Sequence, residues 1–164
     1  MTHQSSSTKR QAQESLPTFS ISLLRFSFCF VYRFSEAMAP TLQLTSTDLV
    51  LSLTTCQKLL AVQFSPVSVP LKHITNVRVR PDDLCVCWNG LRVGTSVPGV
   101  FYAGNFYHLH RKPDFIYARK KATAIALDLA DGSQWAKIIF EVEDGRTPEE
   151  VAQDILKAIE NARS

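Results

Sequence analysis

The sequence predicts a mainly β domain that is capped by one C-terminal α-helix. From Thr41 onward, short apolar runs alternate with turn signals at roughly 8–12-residue spacing, which is typical of a sandwich or barrel. Asn89-Gly90 and Asp131-Gly132 are dipeptides that favour tight β-hairpin turns. One amphipathic helical pattern closes the chain, and its apolar stripe has to pack on the sheets.

Hairpins account for most of the predicted strands. The runs LVLSL (49–53) and LLAVQF (59–64) flank TTCQK, which predicts a first hairpin. CVCW and LRV flank Asn89-Gly90, and AIALDL and QWAKIIFEV flank ADGS, which predicts two more. Between the first two, ITNVRVR alternates apolar and other residues along its second half and predicts a half-buried strand.

The helix is predicted from its first residues and from the spacing that follows. Thr147 is a suitable N-cap, Pro148 takes the first helical position and Glu150 takes the third. Residues at i, i+4 and i+8 then form an apolar stripe. The stripe consists of Val151, Ile155 and Ile159, with Ala152, Leu156 and Ala158 beside it.

The stretches VPLKHITNVRV, GLRVGTSVPGVFYAGNF and AIALDL...WAKIIFEVED, together with the closing helix, resemble small bacterial-type pleckstrin-homology-like (PH-like) proteins. The resemblance extends from Leu44 to about Asn161. It implies a PH-like barrel or sandwich of two near-orthogonal antiparallel sheets, with about seven strands and one C-terminal capping helix. It also implies no metal. Val93 departs from the family pattern, which has a proline ahead of the Gly94-Thr95 pair.

Residues 1–37 differ in composition from the rest and are predicted to precede a domain at 38–164. They contain eight serines, four Lys or Arg and two acids. Arg25 interrupts their apolar run, which leaves fewer than the about 20 consecutive apolar residues that a transmembrane helix needs. The extension is disordered, spurious with Met38 as the start, an organellar targeting signal, or a secretory signal or anchor, and these alternatives stay open.

Cysteine and histidine pairs supply the one metal hypothesis. Residues i and i+2 of a strand share a face, so Cys85-x-Cys87 and His108-x-His110 would form a four-ligand zinc site if their strands were neighbours. Both spacings are tighter than in common zinc motifs, and buried cysteines with exposed histidines are the alternative. The four cysteines form no disulfide framework, which favours a reducing, cytoplasmic location, with an organelle as the alternative.

Catalytic signatures are absent from the sequence, so no enzyme and no cofactor are predicted. There is no G-x-S-x-G elbow, and no Lys-Ser or Lys-Thr follows the glycine-rich stretch PGVFYAGNF as a phosphate loop requires. Gly94, Gly99 and Gly104 instead predict a bent strand with close backbone approach. Four aromatic residues would alternate between the faces of that strand, namely Phe101, Tyr102, Phe106 and Tyr107.

Charge is polarised along the chain and suggests the function. Residues 71–121 hold nine Lys or Arg and three acids, whereas residues 122–164 hold four and nine. A pI of 8.7 is too mild for a dedicated nucleic-acid binder, for which about 9 or more is expected. We predict a non-enzymatic binding or scaffold module that contacts anionic lipid head groups at a membrane surface, or an acidic protein partner. Solvated charges without a partner are the alternative, and a metal-binding protein or metalloenzyme is the runner-up function. The predicted basic patch consists of Arg78, Arg80, Arg92, Arg111, Lys112, Arg119, Lys120 and Lys121.

Overall fold

The computed structural model describes residues 39–82, 90–97, 100–119, 121–142 and 145–163. Within these ranges the chain forms a three-stranded sheet, a six-stranded sheet, one short helix and one C-terminal helix. The prediction of a mainly β fold with two sheets and a C-terminal helix is therefore confirmed. The predictions made for residues 1–37 lie outside the described residues.

The first sheet is antiparallel and has the order β1-β2-β3. Its strands are β1 (Thr41–Leu44), β2 (Asp48–Ser52) and β3 (Val67–Pro70). Along β2, Leu49 and Leu51 are fully buried while Asp48, Val50 and Ser52 are partly exposed. This period of two shows that one face of the sheet packs on the core.

A short helix, α1 (Thr55–Ala61), replaces the first predicted hairpin. The Thr54 hydroxyl accepts a hydrogen bond from Gln57 N at 3.4 Å, and Gln57 Oε1 accepts one from Thr54 N at 2.7 Å. This reciprocal capping box satisfies two donors at the helix start, so the segment is helical although its apolar run resembles a strand. The hairpin prediction for 49–64 is wrong, because β2 pairs with β1 and β3 instead.

The second sheet has the order β4-β8-β9-β7-β6-β5. Its neighbouring strands are antiparallel except for β7 and β9, which run parallel. The expectation of purely antiparallel sheets is therefore wrong. β9 lies in the sheet centre, and its consecutive Ile138, Ile139 and Phe140 are all buried, as is typical of strands covered on both faces. The strands are β4 (Ile74–Val79), β5 (Leu91–Val97), β6 (Phe101–Tyr107), β7 (Asp114–Ala118), β8 (Ala124–Leu129) and β9 (Lys137–Glu141).

The six-stranded sheet is open. β4 and β5 form its two edges and do not pair with each other within the described ranges, so the structure is not a closed barrel. The described strands number nine, more than the predicted seven or so. The hairpin at Asp131-Gly132 is confirmed by the antiparallel pairing of β8 with β9. The first arm of the Asn89-Gly90 hairpin lies outside the described residues.

The C-terminal helix, α2 (Pro148–Arg163), begins as the sequence predicts. Thr147 N donates to Glu150 Oε2 at 2.7 Å, and Glu150 N donates to Thr147 Oγ1 at 3.3 Å. The stripe that contains Val151, Ile155 and Ile159 is buried in the main hydrophobic core. Leu156, which was predicted beside this stripe, points away from it and is exposed.

The two faces of the six-stranded sheet carry separate apolar clusters. The main cluster joins its inner face to the three-stranded sheet and to α2. A smaller cluster that includes Tyr102, Phe106 and Ile116 lies on the outer face. Because Phe101 belongs to the first cluster and Tyr102 and Phe106 belong to the second, the predicted alternation of aromatic residues along β6 is confirmed.

Candidate functional site

The loop between β6 and β7, residues 108–113, is held at its base by a buried carboxylate. Asp114 Oδ2 lies 2.8 Å from His108 Nε2 and 2.8 Å from Arg111 NH2. The same Arg111 atom lies 2.9 Å from His108 Nε2, so the three side chains form one compact cluster. Asp114 is almost fully buried and half of the Arg111 side chain is exposed. The loop therefore has a fixed base and an accessible cation above it.

Lys112 joins this loop to the turn between β8 and β9. Its ammonium donates to the carbonyl oxygen of Asp131 and, at 2.7 Å, to that of Ser133. Both acceptors are neutral backbone groups. The positive charge of Lys112 is therefore fixed in place by bonds that do not cancel it.

A cleft of about 440 Å³ lies between the β6–β7 loop and the β8–β9 turn. Its volume is within the range of small-molecule sites, about 300–1,000 Å³. The loop side is basic and the turn side is mostly apolar, with Asp131 as its single acid. The lining residues are His110, Arg111, Lys112, Leu129, Ala130, Asp131 and Ala136.

Exposed apolar side chains surround the same loop. Leu109, between the two histidines, is 84 % exposed. Leu91 at the start of β5 is 71 % exposed and Tyr107 at the end of β6 is 42 % exposed, and these two residues are cross-strand partners. None of these three residues is among the site residues that the sequence predicts. The position of Leu109, between two histidines and close to two cations, is the sequence feature that could have indicated this surface.

Two arginines of the predicted patch lie on or beside edge strand β4, and each has an acidic partner. Arg78 binds Asp128 with two bonds, Nε to Oδ2 at 3.0 Å and NH2 to Oδ1 at 2.9 Å. Arg80 NH2 lies 2.7 Å from Glu149 Oε1 at the start of α2. These carboxylates offset much of the positive charge that the sequence predicts here.

Arg119, just after β7, is a structural residue. Its Nε and its backbone N donate to Glu141 Oε2 at 3.1 and 3.0 Å, and the Thr123 hydroxyl donates to Glu141 Oε1. Both charged side chains are largely buried. Of its two predicted neighbours, Lys121 begins a 3-10 turn and Lys120 lies outside the described residues.

Arg92 lies on β5, at the opposite edge of the sheet from Arg78. Five strand spacings separate the two edges, which amounts to about 24 Å. Arg92 donates to Ser96 Oγ at 3.0 Å, and its cross-strand partner is Phe106, next to Tyr107. The backbone of Arg92 therefore lies near the end of the sheet that carries Arg111 and Lys112, whereas its guanidinium reaches along β5 to Ser96, away from that end.

The proposed metal ligands are only partly described. Cys85 and Cys87 lie outside the described residues. His108 contacts Asp114 and Arg111, whereas His110 lines the cleft. Across residues 39–82, 90–97, 100–119, 121–142 and 145–163, no three His, Cys, Asp or Glu side chains are grouped so that they would hold a metal ion. The four-ligand zinc site stays a prediction from the sequence.

Comparison with protein-family models, with curated proteins and with solved structures finds no match to this chain. The PH-like resemblance therefore stays an expectation from the sequence. In the part of the chain that the structure describes, neither helix has the length and apolarity to cross a membrane.

Proposed function

We propose that this chain is a non-enzymatic binding module that attaches to an anionic membrane surface through the β6–β7 loop and the adjoining end of the β5–β6 hairpin. The observation that carries this proposal is a charge pattern around an exposed apolar tip. Residues 90–113 contain no Asp or Glu and include Arg92, Arg111, Lys112 and two histidines. Of these cations, Arg111 pairs with the buried Asp114, whereas Arg92 and Lys112 bond to neutral oxygens. Leu109 lies among these cations and is the most exposed large apolar side chain in the described part.

Two physical effects would contribute to attachment at an anionic lipid surface. Each basic residue near an anionic leaflet contributes about 1 kcal/mol to attraction, and this contribution decays within a Debye length. Apolar side chains beside those cations gain further free energy when they enter the head-group region. An acidic protein would use the cations equally well, and it is the competing partner that the experiment separates.

The test is co-sedimentation of the full chain with phosphatidylcholine vesicles and with vesicles that also contain phosphatidylserine, at low and near-physiological salt. We expect binding to the anionic vesicles only, and weaker binding at the higher salt. The variant Arg92→Gln/Lys112→Gln is expected to weaken binding roughly 30-fold, because two surface cations are lost.

The matched control is Arg80→Gln/Lys157→Gln, which removes the same charge at the far end of β4 and on α2, and it is expected to bind like the wild type. If both variants weaken vesicle binding equally, binding depends on net charge alone and the proposed binding surface at the β6–β7 loop is wrong. If the full chain binds neither vesicle at low salt, the membrane proposal is wrong and an acidic protein becomes the better partner.

A further inference from the structure

Most of the exposed large apolar side chains in the described part belong to a few neighbouring segments of the fold. Of the seven that are exposed there, six belong to α1, to the residues just after it, to the adjoining ends of β5 and β6, or to the β6–β7 loop, and the seventh is Leu156 on α2. We call these six the apolar rim. They are Leu59, Val62, Phe64, Leu91, Tyr107 and Leu109.

Direct contacts hold the two halves of the apolar rim together. α1 packs on β5 and β6. Just after α1, Gln63 Oε1 accepts a hydrogen bond from Asn105 Nδ2 at 3.1 Å. Gln63 lies between the rim residues Val62 and Phe64, and Asn105 precedes Tyr107 by two residues on the same face of β6, a distance of about 7 Å. These contacts place the segment that carries Val62 and Phe64 beside the end of β6 that carries Tyr107.

Val62 is a rim residue with a strained backbone conformation. It occupies the C-cap of α1 with φ 50° and ψ 39°, in the left-handed region. Glycine or asparagine usually takes this position, and a β-branched residue there is an outlier. Backbone geometry opposes a valine here, and since nearly half of the residue is exposed, packing accounts for it only in part. An exposed and strained apolar residue points to a role at the surface.

We propose that the apolar rim inserts into the boundary between the head groups and acyl chains of an anionic bilayer. This inference rests on the proposed function and extends its apolar part from Leu109 to the whole rim, including α1 and the residues just after it. A lipid bilayer presents both parts in the required order, anionic groups outside and hydrocarbon beneath. Arg111 and Lys112 lie two and three residues after Leu109 in the β6–β7 loop, and Arg92 follows Leu91 on β5, so cations adjoin two of the rim residues along the chain.

The test uses the full chain and the same two vesicle compositions, with salt raised well above physiological concentration. Because apolar insertion is not screened by salt, we expect the wild type to retain part of its binding to anionic vesicles. Phe64→Ser and Leu109→Ser are each expected to weaken binding roughly tenfold. Leu156→Ser, which changes the exposed leucine outside the rim, is expected to bind like the wild type.

A second readout reports insertion itself. Phe64→Trp places an indole in the rim, and brominated acyl chains should quench its emission when anionic vesicles are added. Leu156→Trp serves as the matched control and should show no additional quenching over the wild type. Val62→Gly guards against unfolding, because it removes a rim side chain while relieving backbone strain, and it is still expected to bind more weakly.

The outcomes separate this inference from the function on which it rests. Three results together would overturn insertion and leave the electrostatic proposal intact. They are complete loss of binding to anionic vesicles at high salt, no quenching, and equal binding by the rim variants and Leu156→Ser. If the full chain binds no vesicle under any condition, both proposals are wrong.

Discussion

Gly94 and Gly104 face each other across the β5–β6 ladder, so closely that a Cβ on either would lie 2.8 Å from the Cα of the other. Their φ values are +140° and +136°, in a region that other residues rarely adopt. The close backbone approach that the sequence predicts at both glycines is therefore confirmed. Gly99, assigned with them, lies outside the described residues.

Replacement of Gly104 by alanine is expected to destabilise the fold by about 3 kcal/mol, since it combines an unfavourable φ with a clash. The added Cβ would lie 2.2 Å from Val93 O, a backbone atom that cannot move without disturbing the ladder. Urea denaturation measures the effect. Gly145→Ala is the matched control, because its φ is +82° but no atom lies within 4 Å of the added Cβ, so about 1 kcal/mol is expected. Equal costs at both sites would show that the glycine pair has no special packing role.

Val62→Gly is expected to stabilise the folded protein by about 1 kcal/mol, because glycine adopts the left-handed C-cap without steric penalty. Thermal and urea unfolding both measure this change. Val62→Ala keeps the Cβ that causes most of the penalty and should show little gain. A loss of stability in Val62→Gly would mean that the valine side chain stabilises the fold by more than its backbone conformation costs, and the prediction would be wrong.

Glu141→Ala is expected to cost about 3 kcal/mol of unfolding free energy, because it leaves Arg119 largely buried without its carboxylate. Asp128→Ala removes the partner of the more exposed Arg78 and should cost less than about 1 kcal/mol. Denaturant titration of both variants tests the contrast. Similar costs would mean that burial does not distinguish the two ion pairs.

Alkaline pH is expected to weaken the fold through Tyr117. Burial raises its pKa from 10.0 to about 12, with Cys56 and Glu141 adding to the shift and Arg119 opposing it. The folded state therefore keeps the phenol proton between pH 10 and 12 while the unfolded chain releases it. Stability from this group is complete below pH 10 and falls as pH rises toward 12, by about 3 kcal/mol in total. The unfolding free energy of wild type and Tyr117→Phe should be measured from pH 9 to the highest pH that still allows reversible unfolding, and parallel curves would refute the prediction.

Sequence patterns predicted those elements whose decisive contacts are local. The turn at Asp131-Gly132 and the cap at Thr147 each depend on residues within a few positions, and both are confirmed. The T-x-x-Q capping box at Thr54 is equally local and indicates a helix start. The apolar run after it favours a strand, so the pattern as a whole predicts a hairpin where the structure has α1. The parallel pairing of β7 with β9 depends on the packing of both sheet faces, which no short pattern records.

Candidate site residues were predicted by type but not by environment. Arg111 and Arg119 belong to one basic stretch of the sequence but have different environments. Arg119 is largely buried and pairs with Glu141, whereas Arg111 is half exposed and pairs with Asp114. Those carboxylates lie 22 and three positions away along the chain. The exposure of Leu109 likewise depends on which residues of β6 and β7 are buried, and this is known only once the strands are paired.

The pairing of β4 with β8 has a consequence for how the protein is made. Their contact joins Arg78 to Asp128, 50 positions later, and β8 is the only strand that pairs with β4 in the described part. On the ribosome, β4 emerges long before its neighbour, whereas β5, β6 and β7 can form a meander as they appear. Such non-local pairing slows folding. The nascent chain thus extends by about 50 residues before β4 can pair with β8, and the β8–β9 hairpin completes the sheet last.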